Sequence, residues 1–161
     1  MLTLVAAAPR EASPPVARAN SAPADGTAPS AAHTTRRTIL VVEDNPVNMK
    51  LARLLLQKEG YDVTEAKDAE EALGLLVKNR PDLIVLDVQL PGMDGLSLAR
   101  VLRKNPETAS IPLLALTSFA MKGDEERIIE AGFDCYFAKP YSYEPFLKSV
   151  SDLLRKRSAG G

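Results

Sequence analysis

With 161 residues, 45% of them hydrophobic and 25% charged, the chain has the size and composition of one folded domain with a remainder. A formal net charge of −1 leaves no basic footprint for nucleic acid and no polybasic patch for a membrane surface. One cysteine, Cys135, can form neither an internal disulfide nor a thiolate metal cage, so a cytoplasmic protein is expected.

The first stretch, MLTLVAAAPR, holds a short apolar run with no Lys or Arg before it, which makes a poor export signal. No segment is long and apolar enough to span a bilayer. Residues 1–35 are rich in Ala, Pro and Ser and nearly free of large apolar side chains. Such a segment buries too little surface to offset the entropy of ordering it, and it is read as a disordered extension.

From Arg36 the pattern changes. TILVVED (38–44) is an apolar strand that stops at two acids. A helix follows, with Asn45 as cap, Pro46 in its first turn and Gly60 at its end. Val47, Leu51, Leu54 and Leu55 recur at helical spacing and predict its apolar face. YDVTEA (61–66) alternates as a strand, and residues 68–79 form a helix opened by a capping box of Asp68 and Glu71. PDLIVLD (81–87) is a strand buried on both faces. The chain continues with a helix over 93–105, a strand over 111–117, a helix over 121–132, a strand over 134–139 and a helix over 143–156; residues 157–161 are a flexible tail. Five strands alternating with five helices predict a doubly wound parallel α/β sheet, whose ligands sit beyond the carboxyl ends of the strands.

That edge is where the polar residues fall. The first strand ends in Glu43 and Asp44, the third in Asp87, the fourth in Thr117 and the fifth in Lys139. Each alone is an ordinary turn residue, cap or surface charge; together they converge on one crevice. Three carboxylates repel and raise one another's pKa unless a cation sits among them, and an all-oxygen set suits Mg²⁺. A metal ion, a lysine and a hydroxyl around one carboxylate can neutralise an incoming phosphoryl group while that carboxylate attacks in line. Asp87, central in the sheet, is the candidate nucleophile.

The motifs VVEDN, LDVQLPGMDG, LALTS and YFAKP resemble those of response-regulator receiver domains, in the same order, over about residues 37–156. Thr117 follows Asp87 by 30 positions and Lys139 follows Thr117 by 22, as the family pattern has it. The resemblance implies a flavodoxin-like (βα)5 fold with strand order 2-1-3-4-5. It makes Asp87 the phosphoacceptor, supplied by a histidine kinase or histidine phosphotransfer protein. Asp44 would hold Mg²⁺ directly, Glu43 (where many members have Asp) through water, and Gln89 through its backbone carbonyl. Thr117 and Lys139 would bind the phosphoryl oxygens, Tyr136 would be the switch aromatic, and the Lys139–Pro140 peptide would be cis. Phe119 offers no group to orient water, which implies slow self-dephosphorylation. SFAMKGDEERIIEAG is most similar to DivK-type single-domain regulators and to receivers of hybrid histidine kinases.

Only RSAGG follows the last helix, which leaves no room for a DNA-binding module, so output should pass through a downstream protein. Tyr136, Tyr141, Tyr143 and Phe146 mark the candidate output face, with Phe146 read as core; the chain is expected as a monomer or a weak phosphorylation-dependent dimer. A dehalogenase-type phosphatase would need an acid where Gln89 stands, and a flavin carrier would not place EDNPVN against a phosphate. A non-phosphorylated receiver scaffold, or a receiver detached from a hybrid kinase, remains as alternative.

Overall fold

The computed structural model describes residues 36–118 and 121–160. The extension read at 1–35 and the water-orienting position Phe119 lie outside the described residues. In chain order the elements are β1 (Thr38–Val42), α1 (Pro46–Lys58), β2 (Asp62–Ala66), α2 (Ala69–Lys78) and β3 (Leu83–Asp87), then α3 (Gly95–Lys104), β4 (Leu113–Thr117), α4 (Asp124–Ala131), β5 (Cys135–Ala138) and α5 (Tyr143–Gly160). All strand pairs are parallel, in the order β2-β1-β3-β4-β5. This is the flavodoxin-like sheet that the resemblance implied.

Strand residues alternate between the two faces, as the pleat requires. Leu40, Val42, Ile84, Leu86, Leu113 and Ala115 pack with Ala72, Leu76, Leu98, Leu102 and Ile128 of α2, α3 and α4. Ile39, Val41, Leu83, Val85, Leu114 and Leu116 pack with Met49, Ala52, Leu56, Phe146, Val150 and Leu154 of α1 and α5. Every residue of β3 and β4 is buried, which explains their unbroken apolar runs.

Three local features differ from or refine the sequence reading. The face of α1 that meets the sheet is Met49, Ala52 and Leu56, while Val47 and Leu54 are exposed. The leucine run at 54–56 leaves the helical phase ambiguous, and small Ala52 lets the helix approach the strands closely. Asp68 accepts from the Glu71 N–H at 2.8 Å, but Glu71 returns its bond to Lys67 N, at 2.7 Å, one residue earlier than in a standard capping box. Helix α5 runs through Gly160, past the 156 boundary expected for it. Arg157 holds these last turns by donating to the carbonyls of Pro81 and Asp82 at 3.2 and 3.4 Å.

At the amino edge of the sheet, Arg103 donates to the carbonyls of Gly132, Ala109 and Ile111 at 2.8, 2.8 and 2.7 Å and to Asp134 at 3.0 Å. The same Asp134 carboxylate accepts from Leu113 N at 2.8 Å. Gly132 turns with φ +112, and a Cβ there would meet Arg103 Cγ at 2.6 Å, so only glycine closes this corner. The Lys139–Pro140 peptide is cis.

Candidate functional site

The carboxyl edge is built by strand ends. Glu43 follows β1 directly, and its backbone N–H donates to Ala66 O at 3.0 Å, which fixes it beside β2. Asp44 is the next residue and is exposed. Asp87 closes β3, Thr117 closes β4 and Lys139 follows β5. Val88 N donates to Leu116 O at 2.8 Å and Lys139 N to Thr117 O at 2.7 Å, so the three strand ends are tied laterally.

These are buried polar groups. Glu43 and Asp87 are each 2% exposed and Thr117 is 1% exposed. Lys139 Nζ donates to Glu43 Oε2 at 2.7 Å and to Asp87 Oδ2 at 2.8 Å. The other Asp87 oxygen, Oδ1, accepts from Gln89 N at 2.8 Å. Both carboxylate oxygens of Asp87 are therefore hydrogen-bonded in this state. Ligand oxygens of Glu43, Asp44 and Asp87 lie within 4.8 Å of one another. That donor set fits a hard divalent cation such as Mg²⁺.

The electrostatics follow from burial. Desolvation pushes the Glu43 carboxyl above its usual range, and Asp87 adds to the rise; the bonds from Lys139 and from Asn45 N work against it. Burial alone would lower Lys139, but its bonds to Asp87 and Glu43 more than offset this and hold it above its ordinary value. One ammonium thus shields two buried acids.

The backbone allows this packing at one tight point. The Asp94 side chain caps α3 by accepting from Ser97 N at 2.8 Å. Gly95, the first residue of that helix, lies against the acceptor strand: a Cβ on it would come within 2.3 Å of Asp87 O and 2.7 Å of Val88 Cα. No other residue type fits there without moving helix or strand.

Tyr136, on β5 opposite Ala115, is half-buried against the core layer under α4. The neighbouring Glu125 carboxylate of α4 raises its phenol above the ordinary value. Of the other aromatics, Phe146 is fully buried, and Tyr141 packs on it with ring centroids 4.8 Å apart. Tyr143 is exposed. The strand ends thus bring Glu43, Asp87, Thr117 and Lys139 together, with Asp44 and Gln89 at the rim and Tyr136 one strand away. The two hydrogen bonds of Lys139, the Gln89 N–H on Asp87 and the pairing of Tyr136 with Glu125 carry no local sequence signal.

The family model of the response regulator receiver domain matches residues 39–151. The polar-differentiation response regulator DivK of Brucella anthropi is 42% identical over 118 residues, which are 73% of this chain and 96% of that protein. Among solved structures, the receiver domain of a signal transduction histidine kinase from Syntrophus aciditrophicus is 34% identical with a TM-score of 0.71, covering 74% of this chain and 91% of that one. The receiver domain of a sensor histidine kinase from Pseudomonas aeruginosa, solved with a magnesium ion coordinated in its active-site cleft, is 34% identical with a TM-score of 0.69, covering 74% and 98%. Among the described residues, no helix is long and apolar enough to cross a membrane.

Proposed function

The chain belongs to the response regulator receiver family, and on that premise we propose that it is a DivK-like single-domain regulator whose Asp87 accepts a phosphoryl group from a phosphohistidine. The donor is a histidine kinase or a histidine phosphotransfer protein, and the output is a change in binding to a downstream protein, in the cytoplasm. The observation that carries this reading is a buried carboxylate at the centre of a parallel sheet's carboxyl edge, flanked by two acids, a lysine and a hydroxyl.

An Asp87 oxygen attacks phosphorus in line; the P–N bond of the phosphohistidine breaks, its electron pair leaves with the imidazole, and an acyl phosphate forms. Asp87, Asp44 and the Gln89 carbonyl would hold Mg²⁺, with Glu43 acting through water, and the bound ion would supply positive charge beside the phosphoryl oxygens. Lys139 exchanges its bond to Asp87 Oδ2 for one to the phosphoryl group. Thr117 donates its hydroxyl to the same group, and Tyr136 turns inward and leaves Glu125. The two arrangements form a two-state equilibrium that the phosphoryl group biases. Receivers signal rather than turn over an external substrate; the chemistry catalysed here is the chain's own phosphorylation and dephosphorylation.

The test is intact mass after treatment with acetyl phosphate and Mg²⁺. One phosphate adduct is expected in the wild type, and none in Asp87→Asn or with EDTA present. An unmodified wild type at saturating donor would reject the phosphoacceptor reading and leave a binding scaffold.

A further inference from the structure

We propose that the amino edge of the sheet, opposite the edge that carries Asp87, holds a binding site for a small phosphate monoester with an apolar body, of the nucleoside monophosphate class. A cleft of about 460 Å³ opens there between the connection from α3 to β4, the turn after α4 and the last turns of α5. That volume lies within the range of small-molecule sites, about 300–1,000 Å³. Arg103, Lys156 and Arg157 line the cleft, and Asp134 is the one acid among its described lining residues. Two positive charges are thus in excess, in a chain whose formal net charge is −1. Helix dipoles explain part of this, since Arg103 and Arg157 stand in the last turns of α3 and α5. Lys156 precedes that last turn, and among the described residues it has no ion pair or hydrogen bond. Three like charges face one space, and such a cleft concentrates anions.

The donors are held in place but not used up. Arg103 spends four of its five N–H groups on the carbonyls of Gly132, Ala109 and Ile111 and on Asp134, so its guanidinium is a fixed floor. Arg157 bonds the carbonyls of Pro81 and Asp82 through Nη1 alone, and among the described residues its Nε and Nη2 have no partner. The hydroxyl of exposed Ser110, on the same lining, has none there either. An arginine fork meets phosphate oxygens two at a time, and a lysine adds a point charge. The rest of the wall is apolar: buried Pro112 and half-buried Leu153 offer a surface to a base or another flat body, which inorganic phosphate would leave uncovered. The cations gather in one cleft and not along a stripe, which argues against a nucleic-acid strand. The cleft shares no residue with the cluster of Glu43, Asp44 and Asp87, so the inference does not rest on the phosphoacceptor reading.

The test is isothermal titration calorimetry of the full chain with AMP, GMP, CMP and UMP, in EDTA so that no metal bridges phosphate to Asp87. Inorganic phosphate, adenosine and phosphatidylglycerol vesicles are titrated alongside. At least one nucleotide should bind with a Kd below about 1 mM and weaken as salt is raised. It should bind at least about tenfold tighter than inorganic phosphate, and adenosine should not bind. Lys156→Glu should raise Kd at least about tenfold, while Lys78→Glu, an equal change of net charge elsewhere, should leave it within about twofold. Both lysines are exposed, so folding is expected, and circular dichroism checks it. Asp87→Asn should bind as the wild type does. Failure of all four nucleotides, equal binding of adenosine, equal loss in the two lysine variants, or loss in Asp87→Asn overturns the proposal. So does inorganic phosphate binding as tightly as any nucleotide, which would leave a bare anion site. So does capture by the anionic vesicles without nucleotide binding, which would make the cleft a lipid contact. If Asp87 takes no phosphate but a nucleotide binds as described, the phosphoacceptor reading fails and this site stands.

Discussion

Replacing Lys139 with Met keeps the length and apolar stem of the side chain and deletes its charge. Glu43 Oε2 and Asp87 Oδ2 then lose a cation at 2.7 and 2.8 Å, in a place where the three side chains are 1%, 3% and 14% exposed. Removing one partner of a buried pair costs about 3–5 kcal/mol. The electrostatic part has a ceiling, because Glu43 can take a proton instead. From its ordinary pKa of 4.5, protonation at about pH 7 costs about 3.4 kcal/mol, at about 1.36 kcal/mol per pH unit. A loss of about 3 kcal/mol is therefore expected near pH 7 without metal. At about pH 5 the ceiling drops to about 0.7 kcal/mol.

The sign follows from the direction of the shift. Burial already raises Glu43 in the folded state, and losing Lys139 raises it further. A carboxyl raised on folding favours the fold as pH falls and opposes it as pH rises through the folded value. The deficit of Lys139→Met should open between about pH 5 and pH 7 and close on acidification. Urea unfolding followed by circular dichroism in EDTA at both pH values measures it, and millimolar Mg²⁺ should restore part of the loss by replacing the missing charge. A deficit below about 1 kcal/mol near pH 7, or an equal one at both pH values, would refute the account of Lys139 as the shield of two buried acids.

Three other substitutions or reagents probe separate points. Gly95→Ala forces its Cβ onto Asp87 O and Val88 Cα, neither of which can yield; a stability loss above about 3 kcal/mol and a reduced phosphate adduct are expected, and wild-type behaviour in both would contradict the packing. Gly132→Ala combines about 1–2 kcal/mol of left-handed strain with displacement of Arg103, for a total of about 2–3 kcal/mol, read as a lower urea midpoint at unchanged slope. Burial pushes the Cys135 thiol up to about 11, so near pH 8 on the order of one thiol in a thousand is ionised. Labelling by a disulfide reagent should run about a hundredfold slower than for a free thiol, and fast labelling would show that β5 is open.

The sheet was legible because each strand carries an unbroken or alternating apolar run that stops at a polar residue. Leu83–Leu86 followed by Asp87 is the clearest case. The caps of α1 and α2 were legible because Asn45 and Asp68 are short acceptors placed just before helices. The apolar face of α1 was not, since three consecutive leucines fit several helical phases and burial was decided by Met49 and Ala52. The wiring of the site was hidden for a different reason. That Lys139 reaches Glu43 depends on a contact between residues 96 positions apart, which only the parallel order of the strands creates. Arg103 in α3 reads as an ordinary terminal cation until the fold places Asp134 and the carbonyls of Gly132, Ala109 and Ile111 around it.

That guanidinium has a mechanical consequence. It joins the turn after α4 to the entry of β4, so in any swing of α4 the carboxyl end would be the pivot and the amino end, next to Thr117, the arm. Eight residues make a rod about 12 Å long, and a swing of about 10° moves the Glu125 end by about 2 Å while Gly132 stays in place. A lysine at position 103 could hold one of these acceptors but not the whole fork, and the rod would then slide as readily as it turns. On the proposed switch, the far side of the sheet from the acids would thereby set the direction in which phosphorylation of Asp87 is felt on the surface.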